Sequence, residues 1–385
     1  MVVQSAASHE YTSVEAAATA TSKRLPRGAI VAAAAALLLV IAVTALPGAY
    51  AAVKDGVSRL DNGDGRWIAL AIGLEALSFL GHIVLFRSVF LDRGDAKVGF
   101  GASYEITMAG HAATRVFGAA GAGGIAVTVW ALRRAGLATR TIASRMAGFM
   151  VLLYSFYAIT VATVGIGLAT GFLPGGGSPA LTLVPGIAAL VVVGLVLGAA
   201  LLSDRLVDAA PEGMRGKLEP VAATVRGGVH EALAVIRRHD PGLIGGAAWW
   251  ACDIAVLWAC FHAFGAPPAI ALLVLGYFIG LVGNALPFLG SVGGVDGGMI
   301  GALVAFGAAP GTTIVAVVVY RLISCWLPAV PGAFAYVQLR KRTAAWQKQP
   351  EGEAAPAQEP TRIPRPVPAP VPVPAPALGR LELVA

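Results

Sequence analysis

Long apolar runs alternate along the chain with short polar segments that are rich in arginine and lysine. A helix rises about 1.5 Å per residue, so about 20 apolar residues are needed to cross a hydrocarbon core of about 30 Å. Runs of about this length cover residues 28–46, 67–90, 146–172, 181–202, 244–264 and 312–339. The last contains Pro328 and Pro331, where a kink is expected because proline donates no backbone hydrogen bond. The pattern predicts an all-α, polytopic membrane protein with about six spanning helices.

The first apolar run could be either a cleaved signal peptide or a permanent membrane helix. It follows the basic residues Lys23, Arg24 and Arg27, as the core of a signal peptide does. Ala-Tyr-Ala at 49–51 resembles a signal-peptidase site, so a cleaved signal peptide is one interpretation. The apolar run is, however, longer than the roughly 7 to 15 residues of a signal-peptide core. We favour an uncleaved first helix.

Two further apolar stretches, 104–132 and 270–307, are broken by glycine-rich segments. The breaks read GAAGAGG at 118–124 and PFLGSVGGVDGG at 287–298. The arms of the first stretch have about 14 and 11 residues and reach only about 21 and 16 Å, too short to cross the bilayer. Each stretch is therefore predicted to form a re-entrant helical hairpin, whose tip is buried in protein or faces a wet cavity.

The two hairpins are also predicted to belong to a weak inverted repeat. Each break is followed by an apolar arm, by a glycine (Gly136 or Gly307), and then by a long apolar helix. The charge pattern inserts the first hairpin from the cytoplasm and the second from outside. Opposed hairpins that meet near the midplane are a common way for carriers to build a binding site.

The predicted membrane domain covers residues 28–342, includes one sizeable loop, and has a tail on each side. In the loop 203–240, apolar residues recur every three or four positions beside basic ones, which predicts an amphipathic helix on the cytoplasmic membrane surface. Its predicted apolar face consists of Leu218, Val221, Val225, Val229, Leu233 and Ile236. Residues 1–27 are predicted to be a cytoplasmic N-terminal tail. Residues 343–385 turn into a Pro/Ala/Val repeat and are predicted to be a disordered tail.

Composition agrees with a membrane protein and indicates its partners. Hydrophobic residues make up 57% of the chain and charged residues 13%, against about one quarter charged in soluble proteins. The 28 basic and 21 acidic residues give a net charge of +7. The basic excess lies in loops and tails and not along an aromatic-lined groove, so we expect membrane lipids as partners and no nucleic acid.

The distribution of basic residues predicts the orientation in the membrane. The loops 133–145, 205–238 and 340–348 are basic, whereas 174–180 and 265–269 contain no lysine or arginine. The positive-inside rule places the basic loops and both termini in the cytoplasm. We therefore expect a multi-pass protein of the plasma or inner membrane.

The sequence contains no motif that indicates an enzyme or a cofactor. Cys252, Cys260 and Cys325 lie in apolar stretches without metal-ligand spacing and are interpreted as small core residues. No nucleophile elbow, HExxH, P-loop or dinucleotide-binding fingerprint stands in a suitable context. This argues against an enzyme without excluding one, and no cofactor or metal is expected.

Ionisable residues at membrane depth are the first candidates for a site. Arg321 suits a phosphate group, because a guanidinium binds phosphate through two hydrogen bonds, although a structural salt bridge to Asp296 is the alternative. Asp296 could receive an ammonium headgroup or a proton, or cap a helix. Arg115, near the first break, is the second candidate for phosphate. Gly293 and Gly294 offer N–H groups to an anion, or allow close helix packing.

Four weaker candidates complete the predicted site. Glu75 and His82 are two helical turns apart on one face and could relay protons, with buried hydrogen bonds as the alternative. Asn284 and Asp253 are polar residues in apolar runs, for which hydrogen bonding within the core is the favoured interpretation.

Several of these residues also carry a resemblance to a known family. The run PFLGSVGGVD and the motifs after it resemble the transmembrane region of lysylphosphatidylglycerol synthases, also called flippase-like domain proteins. The family typically reads Pro-x-Pro-Gly-Gly-x-Gly-x-x-Glu here, so Leu289, Ser291 and Asp296 depart from it. The first break, with the arginines after it, is similar to the family's glycine-rich first motif. The positions that follow the run are Gly307, Tyr320-Arg321, Trp326-Leu327-Pro328 and Gly332.

The resemblance covers about residues 28–342 and implies a translocating function. It implies movement of a lipid with a polar headgroup, such as an aminoacylated or anionic phospholipid or a polyprenyl-linked sugar, between leaflets. Full synthases carry a soluble aminoacyl-transferase domain after the membrane part, where this chain has its Pro-rich tail, so a separately encoded lipid-modifying enzyme is a possible partner. Two alternatives remain: a membrane-embedded transferase with Asp296 as base, and a membrane subunit that does not transport.

Overall fold

The computed structural model describes residues 54, 58, 62–91, 98–117, 121–176, 178–285 and 294–348. These residues are all-helical, and no strand occurs among them. In chain order the helices are α1 Gly65–Phe90, α2 Phe100–Phe117, α3 Ala122–Arg134, α4 Thr139–Ala169, α5 Pro179–Leu201, α6 Ser203–Asp208, α7 Glu212–Arg237, α8 Gly242–Phe264, α9 Ile270–Leu281, α10 Gly294–Ala305, α11 Pro310–Arg321 and α12 Ala329–Lys348. A 3₁₀ turn covers Val282–Ala285, and a π-helical turn covers Leu322–Trp326.

Five segments are long and apolar enough to cross a membrane. They are α1, α4, α5, α8 and the continuous segment Pro310–Gln347, which contains α11, the π turn and nearly all of α12. These segments confirm five of the six predicted spans. The other predicted span, 28–46, and the N-terminal tail lie outside the described residues.

The sequence marks where several of these helices begin. The side chains of Asp64 and Ser178 accept hydrogen bonds from N–H groups in the first turns of α1 and α5. Pro179 and Pro310 stand in the first turns of α5 and α11, where the missing N–H of proline leaves no helical bond unmade.

The last span is interrupted close to the prolines that predict a kink. The N–H of Leu327 donates to the carbonyl of Leu322 at 2.8 Å, one residue further back than in an α-helix. Pro328 follows directly and has no N–H to continue the helical ladder. The predicted irregularity therefore takes the form of a π turn.

The membrane domain ends later than predicted. The sequence places the start of the disordered tail at residue 343, but α12 continues to Lys348. Thr343 is fully buried and Trp346 packs against a hydrophobic cluster. Helix α12 therefore belongs to the packed unit as far as Trp346, and residues 349–385 lie outside the described residues.

The two glycine-broken stretches form two pairs of closely packed helices, α2 with α3 and α9 with α10. In the first pair, the N–H of Gly124 donates to the Thr114 hydroxyl at 3.0 Å, and this hydroxyl donates to the carbonyl of Gly110 at 2.9 Å. In the second pair, a Cβ on Gly280 would lie 2.7 Å from the Cβ of Met299. Glycine thus allows both pairs to approach this closely.

One arm of the first pair is longer than predicted. Helix α2 begins at Phe100 instead of 104, and its 18 residues reach about 27 Å, close to the thickness of the hydrocarbon core. The other arms have 13, 12 and 12 residues and reach about 18 to 20 Å. The prediction that an arm cannot cross alone therefore holds for α3, α9 and α10 but is too strong for α2.

Both helix pairs end in the same local geometry. Gly136 after α3 and Gly307 after α10 have φ angles of 102° and 93°, a region that only glycine enters freely. In both cases the glycine N–H and the N–H of the next residue donate back into the last helical turn at 2.9 to 3.1 Å. This is the Schellman arrangement, and it turns the chain into α4 and α11 respectively.

The order of a long helix, a short pair and another long helix occurs twice, and its first members run in opposite directions. Helices α1 and α8 pack along their length. The N–H of Asp64 donates to the carbonyl of Ala263, and the hydroxyl of Ser78 donates to the carbonyl of Trp249, both at 3.0 Å. A step forward along α1 is therefore matched by a step backward along α8.

The two ends of the helix bundle differ in charge. At one end, Gly175 and the loops 266–269 and 306–309 line a shallow depression, and these loops contain no lysine or arginine. At the other end, a hydrophobic cluster joins the end of α1, the start of α2, the end of α3 and the start of α4 with α7 and α12. The basic loops around 133–145 and 205–238 lie at this second end.

The loop 203–240 is helical as predicted and contains α6 and α7. However, α7 packs against α4 through a different face from the predicted apolar face. Gly228 lies against Ala147 and Gly148 of α4, and Ala232 and Val235 are buried. Small residues allow this contact, whereas the apolar spacing alone does not reveal it. The residues of the predicted apolar face that stay exposed are Leu218, Val221, Leu233 and Ile236.

Candidate functional site

Five ionisable side chains from different helices approach one another in the middle of the bundle, and we call them the central cluster. Glu75 comes from α1 and Arg115 from the end of α2. Asp253 lies midway along α8, Asp296 in the first turn of α10, and Arg321 at the end of α11. The short helix pairs and the long helices of both halves thus contribute to the same site.

The shortest ionic contact of the cluster joins Arg321 and Asp296. The Nε atom of Arg321 lies 2.5 Å from Oδ1 of Asp296, and Arg321 is only 8% exposed. Asp296 stands in the first turn of α10, where a negative charge also interacts favourably with the helix dipole. The salt bridge considered in the sequence analysis is therefore present. Helix α10 begins at Gly294, so Asp296 lies inside the first turn of the helix and not at the position before it.

Asp253 is held by two tyrosines. Its Oδ2 atom accepts hydrogen bonds from the hydroxyl of Tyr277 and, at 3.1 Å, from that of Tyr320. Both tyrosines are almost fully buried. The interpretation that Asp253 makes hydrogen bonds in the core is therefore correct, but the residue also interacts electrostatically with Arg115 and Arg321 and so belongs to the central cluster.

Glu75 lies beside Asp253 although no hydrogen bond joins them. Glu75 is 5% exposed, and its charge interacts with those of Asp253 and Arg115. The antiparallel register of α1 and α8, in which Ser78 faces Trp249, brings Glu75 level with Cys252 and Asp253.

Arg115 contacts His111, and His111 joins the first helix pair to the last span. The Nε atom of Arg115 donates to Nε2 of His111, one turn earlier on α2, at 3.5 Å. The His111 ring packs edge-on against Phe79 at 4.9 Å and interacts with the backbone of Cys325 and the charge of Arg321. This connection places Arg115 and Arg321 around the same space.

The other predicted site residues lie apart from the central cluster or outside the description. The His82 ring packs edge-on against Trp249 at 4.2 Å and against Phe149 at 5.3 Å, and among the described residues no hydrogen bond joins it to Glu75. Gly294 begins α10 in close contact with Gly283, in agreement with the packing interpretation. Gly293 and the side chain of Asn284 are not among the described parts of the chain.

The sequence analysis did not name Tyr277 as a candidate, and it ranked Asp253 among the weaker candidate site residues. An acidic residue in the middle of an apolar run is itself a strong signal, since burying it in a membrane is costly without partners. Tyr277 gave no such signal, because an aromatic residue in an apolar helix is ordinary, and only the fold shows that its hydroxyl reaches Asp253.

Comparison with known proteins agrees with this architecture. The family model described as "Lysylphosphatidylglycerol synthase TM region" matches residues 30–332. A segment of 95 residues is 34% identical to a UPF0104 membrane protein of Methanothermobacter thermautotrophicus, covering 24% of this chain and 27% of that protein. The chain thus matches about a quarter of this curated relative's length. Because the family model spans well over half of the chain, the protein belongs to the family of lysylphosphatidylglycerol synthase transmembrane regions.

Proposed function

We propose that this membrane protein moves a polar-headgroup lipid between the two leaflets. The observation that carries the proposal is the salt bridge between buried Arg321 and half-buried Asp296 in the central cluster, to which both halves contribute. Burying charge in a spanning segment is costly and is typical of a substrate path. The lipid classes that fit are aminoacylated or anionic phospholipids and polyprenyl-linked sugars, all of which carry a charged or strongly polar headgroup.

The repeated element order supports a carrier that opens alternately to each side. We interpret α2 with α3 and α9 with α10 as re-entrant hairpins that enter from opposite sides, because their arms are short and α1 runs antiparallel to α8. Two such repeats around one site can rock against each other while the site stays near the midplane. The uncharged loops would then face outside, and the basic end with both termini would face the cytoplasm.

Arg321 is assigned the headgroup phosphate in this mechanism. A guanidinium can exchange one oxyanion partner for another, so the phosphate replaces the carboxylate of Asp296 on Arg321. Asp296 then becomes available to an ammonium group, such as that of an aminoacylated headgroup. Arg115, which lies across the cluster, provides a second contact for phosphate.

Leaflet exchange in liposomes tests the proposal. The full chain is reconstituted with a fluorescent anionic or aminoacylated lipid, and exchange is followed by quenching of the outer leaflet. Arg321→Ala removes a charge-assisted contact of about 1.5 to 3 kcal/mol, so exchange should fall roughly 10- to 100-fold. Arg340→Ala, an exposed arginine in α12, is the matched control and should exchange like wild type.

Folding and function must be separated in this test. Removing one partner of a buried ion pair destabilises a protein by about 3 to 5 kcal/mol, because the other charge is left uncompensated. The double variant Arg321→Gln with Asp296→Asn keeps a neutral polar pair, and it should fold but not exchange lipid. Wild-type exchange equal to that of empty liposomes for every lipid class tested would refute the proposed function.

A strain that lacks the gene separates transport from lipid synthesis. A deletion strain that loses a lipid species, as seen by mass spectrometry, would favour a membrane-embedded transferase. Altered sidedness of an unchanged set of lipids would favour transport and leave synthesis to a separately encoded lipid-modifying enzyme.

A further inference from the structure

We propose that Glu75 and Asp253 form a proton-binding carboxyl pair that couples lipid movement to a proton gradient. This inference rests on the proposed function, since it names what drives the same site. It assigns to α1 and α8 a ligand, the proton, that is distinct from the lipid held by Arg321.

The first support is the position of the two carboxyl groups. They lie level on two antiparallel helices whose register is set by the bonds of Asp64 to Ala263 and of Ser78 to Trp249. Their charges interact across the helix interface. Two carboxylates that share a buried site disfavour each other's ionised form, so one proton is readily held between them.

The second support is an unmade hydrogen bond on each carboxyl group. Glu75 is 95% buried, and its Oε2 atom is shielded from solvent without a hydrogen-bond partner in the described part of the chain. The Oδ1 atom of Asp253 is shielded in the same way, while its Oδ2 atom is occupied by Tyr277 and Tyr320. A proton on either oxygen removes the buried charge of that carboxyl group, which is costly to keep without hydrogen-bond donors.

The third support is the charge balance of the central cluster. With every member ionised, the three carboxylates Glu75, Asp253 and Asp296 exceed the two guanidinium groups of Arg115 and Arg321 by one negative charge. One proton therefore makes the cluster neutral. The titratable groups around the pair that carry no charge in this balance are His82, His111, Tyr277, Tyr320, Cys252 and Cys260.

This balance links the proton to the headgroup. An anionic phosphate that approaches Arg321 meets less repulsion when the pair holds a proton, so proton and headgroup favour each other's binding. The proton leaves water on one side, forms an O–H bond on a carboxyl oxygen, and returns to water on the other side. No bond of the lipid is broken, and one proton moves with each anionic headgroup.

Infrared difference spectroscopy on the full chain in lipid nanodiscs tests the site without any transport. Wild type should show a protonated carboxyl C=O band that titrates with pH and is lost in both Glu75→Gln and Asp253→Asn. Glu219→Gln, an exposed glutamate of α7, is the matched control and should keep the band. The absence of such a band in wild type between acid and alkaline pH would overturn the proton site.

Liposomes with an imposed pH gradient test the coupling. With phosphatidylglycerol as the probe, one proton per lipid shifts the leaflet distribution about tenfold per pH unit, towards the side to which protons flow. Glu75→Gln mimics the protonated state, so it should exchange lipid with the same distribution with and without the gradient. Wild-type exchange that ignores the gradient would overturn the coupling and leave the proposed function standing. No exchange by wild type would refute the proposed function, and the infrared band would still decide whether the pair binds a proton.

Discussion

At the scale of residues, the buried charges of this protein are arranged in partnerships that span separate helices. Arg321 is paired with Asp296, and Asp253 is bound by the hydroxyl groups of Tyr277 and Tyr320. Such partners reduce the desolvation cost of a charge in a low-dielectric interior. Glu75 departs from this rule, and a departure of this kind indicates function more strongly than a satisfied pair does.

A polar network outside the spans gives a prediction about pH. Asp240 accepts a hydrogen bond from the N–H of Gly242 at the start of α8, and it forms a salt bridge with Arg238 at 3.0 Å. Burial raises the pKa of Asp240, but hydrogen bonds from Ser88, Gly242 and Arg238 and the charge of Arg238 together bring it below its ordinary value. The folded state therefore favours ionised Asp240.

The sign follows from this depressed pKa. The stabilisation by ionised Asp240 is present above the unfolded-state pKa of about 3.9 and is lost as the pH falls through the lower folded-state value. Asp240→Ala should cost about 1 kcal/mol at neutral pH, and Asp240→Asn less, because the amide still accepts from Gly242. Thermal unfolding in detergent from neutral to acid pH measures both. A cost that stays constant down to pH values below both pKa values would contradict the prediction, and Asp208→Asn, an exposed aspartate of α6, serves as the control.

At the scale of elements, small residues decide how closely helices approach. Gly81 of α1 faces Gly245 of α8, and a Cβ on Gly81 would lie 2.6 Å from the carbonyl oxygen of Gly245. Close backbone contact of this kind is the main source of helix association in a membrane, where lipid is as apolar as the side chains. The position of Glu75 beside Asp253 depends on this contact.

Gly245→Leu should therefore destabilise the protein by separating α1 from α8. Overpacking a tight contact costs about 1 to 3 kcal/mol, and the larger spacing should also weaken the infrared signature of the carboxyl pair. Gly73→Ala on α1 is the matched control: its Cβ would meet no atom within 4 Å, so the change should be neutral or stabilise by up to about 1 kcal/mol. Thermal unfolding in detergent compares the two, and equal melting temperatures would contradict the role of the contact.

Apolar run length was sufficient to predict the described long spans, because membrane thickness alone determines that length. Contacts between helices were harder to predict from the sequence. The face by which α7 packs depends on Gly228 and Ala232, small residues that an apolar pattern does not count. The partner of Arg321 could be proposed from charge, whereas the partner Tyr277 of Asp253 required the packing of α8 on α9.

At the scale of the whole molecule, the charge difference between its two ends is the feature that relates the fold to the membrane. The loops 266–269 and 306–309, which contain no lysine or arginine, gather at one end although they are distant in sequence. The basic residues gather around α7 and the end of α12 at the other end. Helix α8 runs antiparallel to α1, so the end of α8 lies beside the start of α1.

The orientation can be measured by labelling single cysteines in cells. In a variant without the native Cys252, Cys260 and Cys325, Ala266→Cys places a thiol in the exposed loop 266–269, and Glu219→Cys places one on the exposed surface of α7. Because basic loops stay in the cytoplasm, a membrane-impermeant maleimide should label only Ala266→Cys in intact cells and both thiols after permeabilisation. Labelling of Glu219→Cys in intact cells would show that the orientation is opposite to the predicted one. In the proposed mechanism, the hairpins would then enter from the opposite sides, and the proton gradient of the cell would act on the carboxyl pair in the opposite direction.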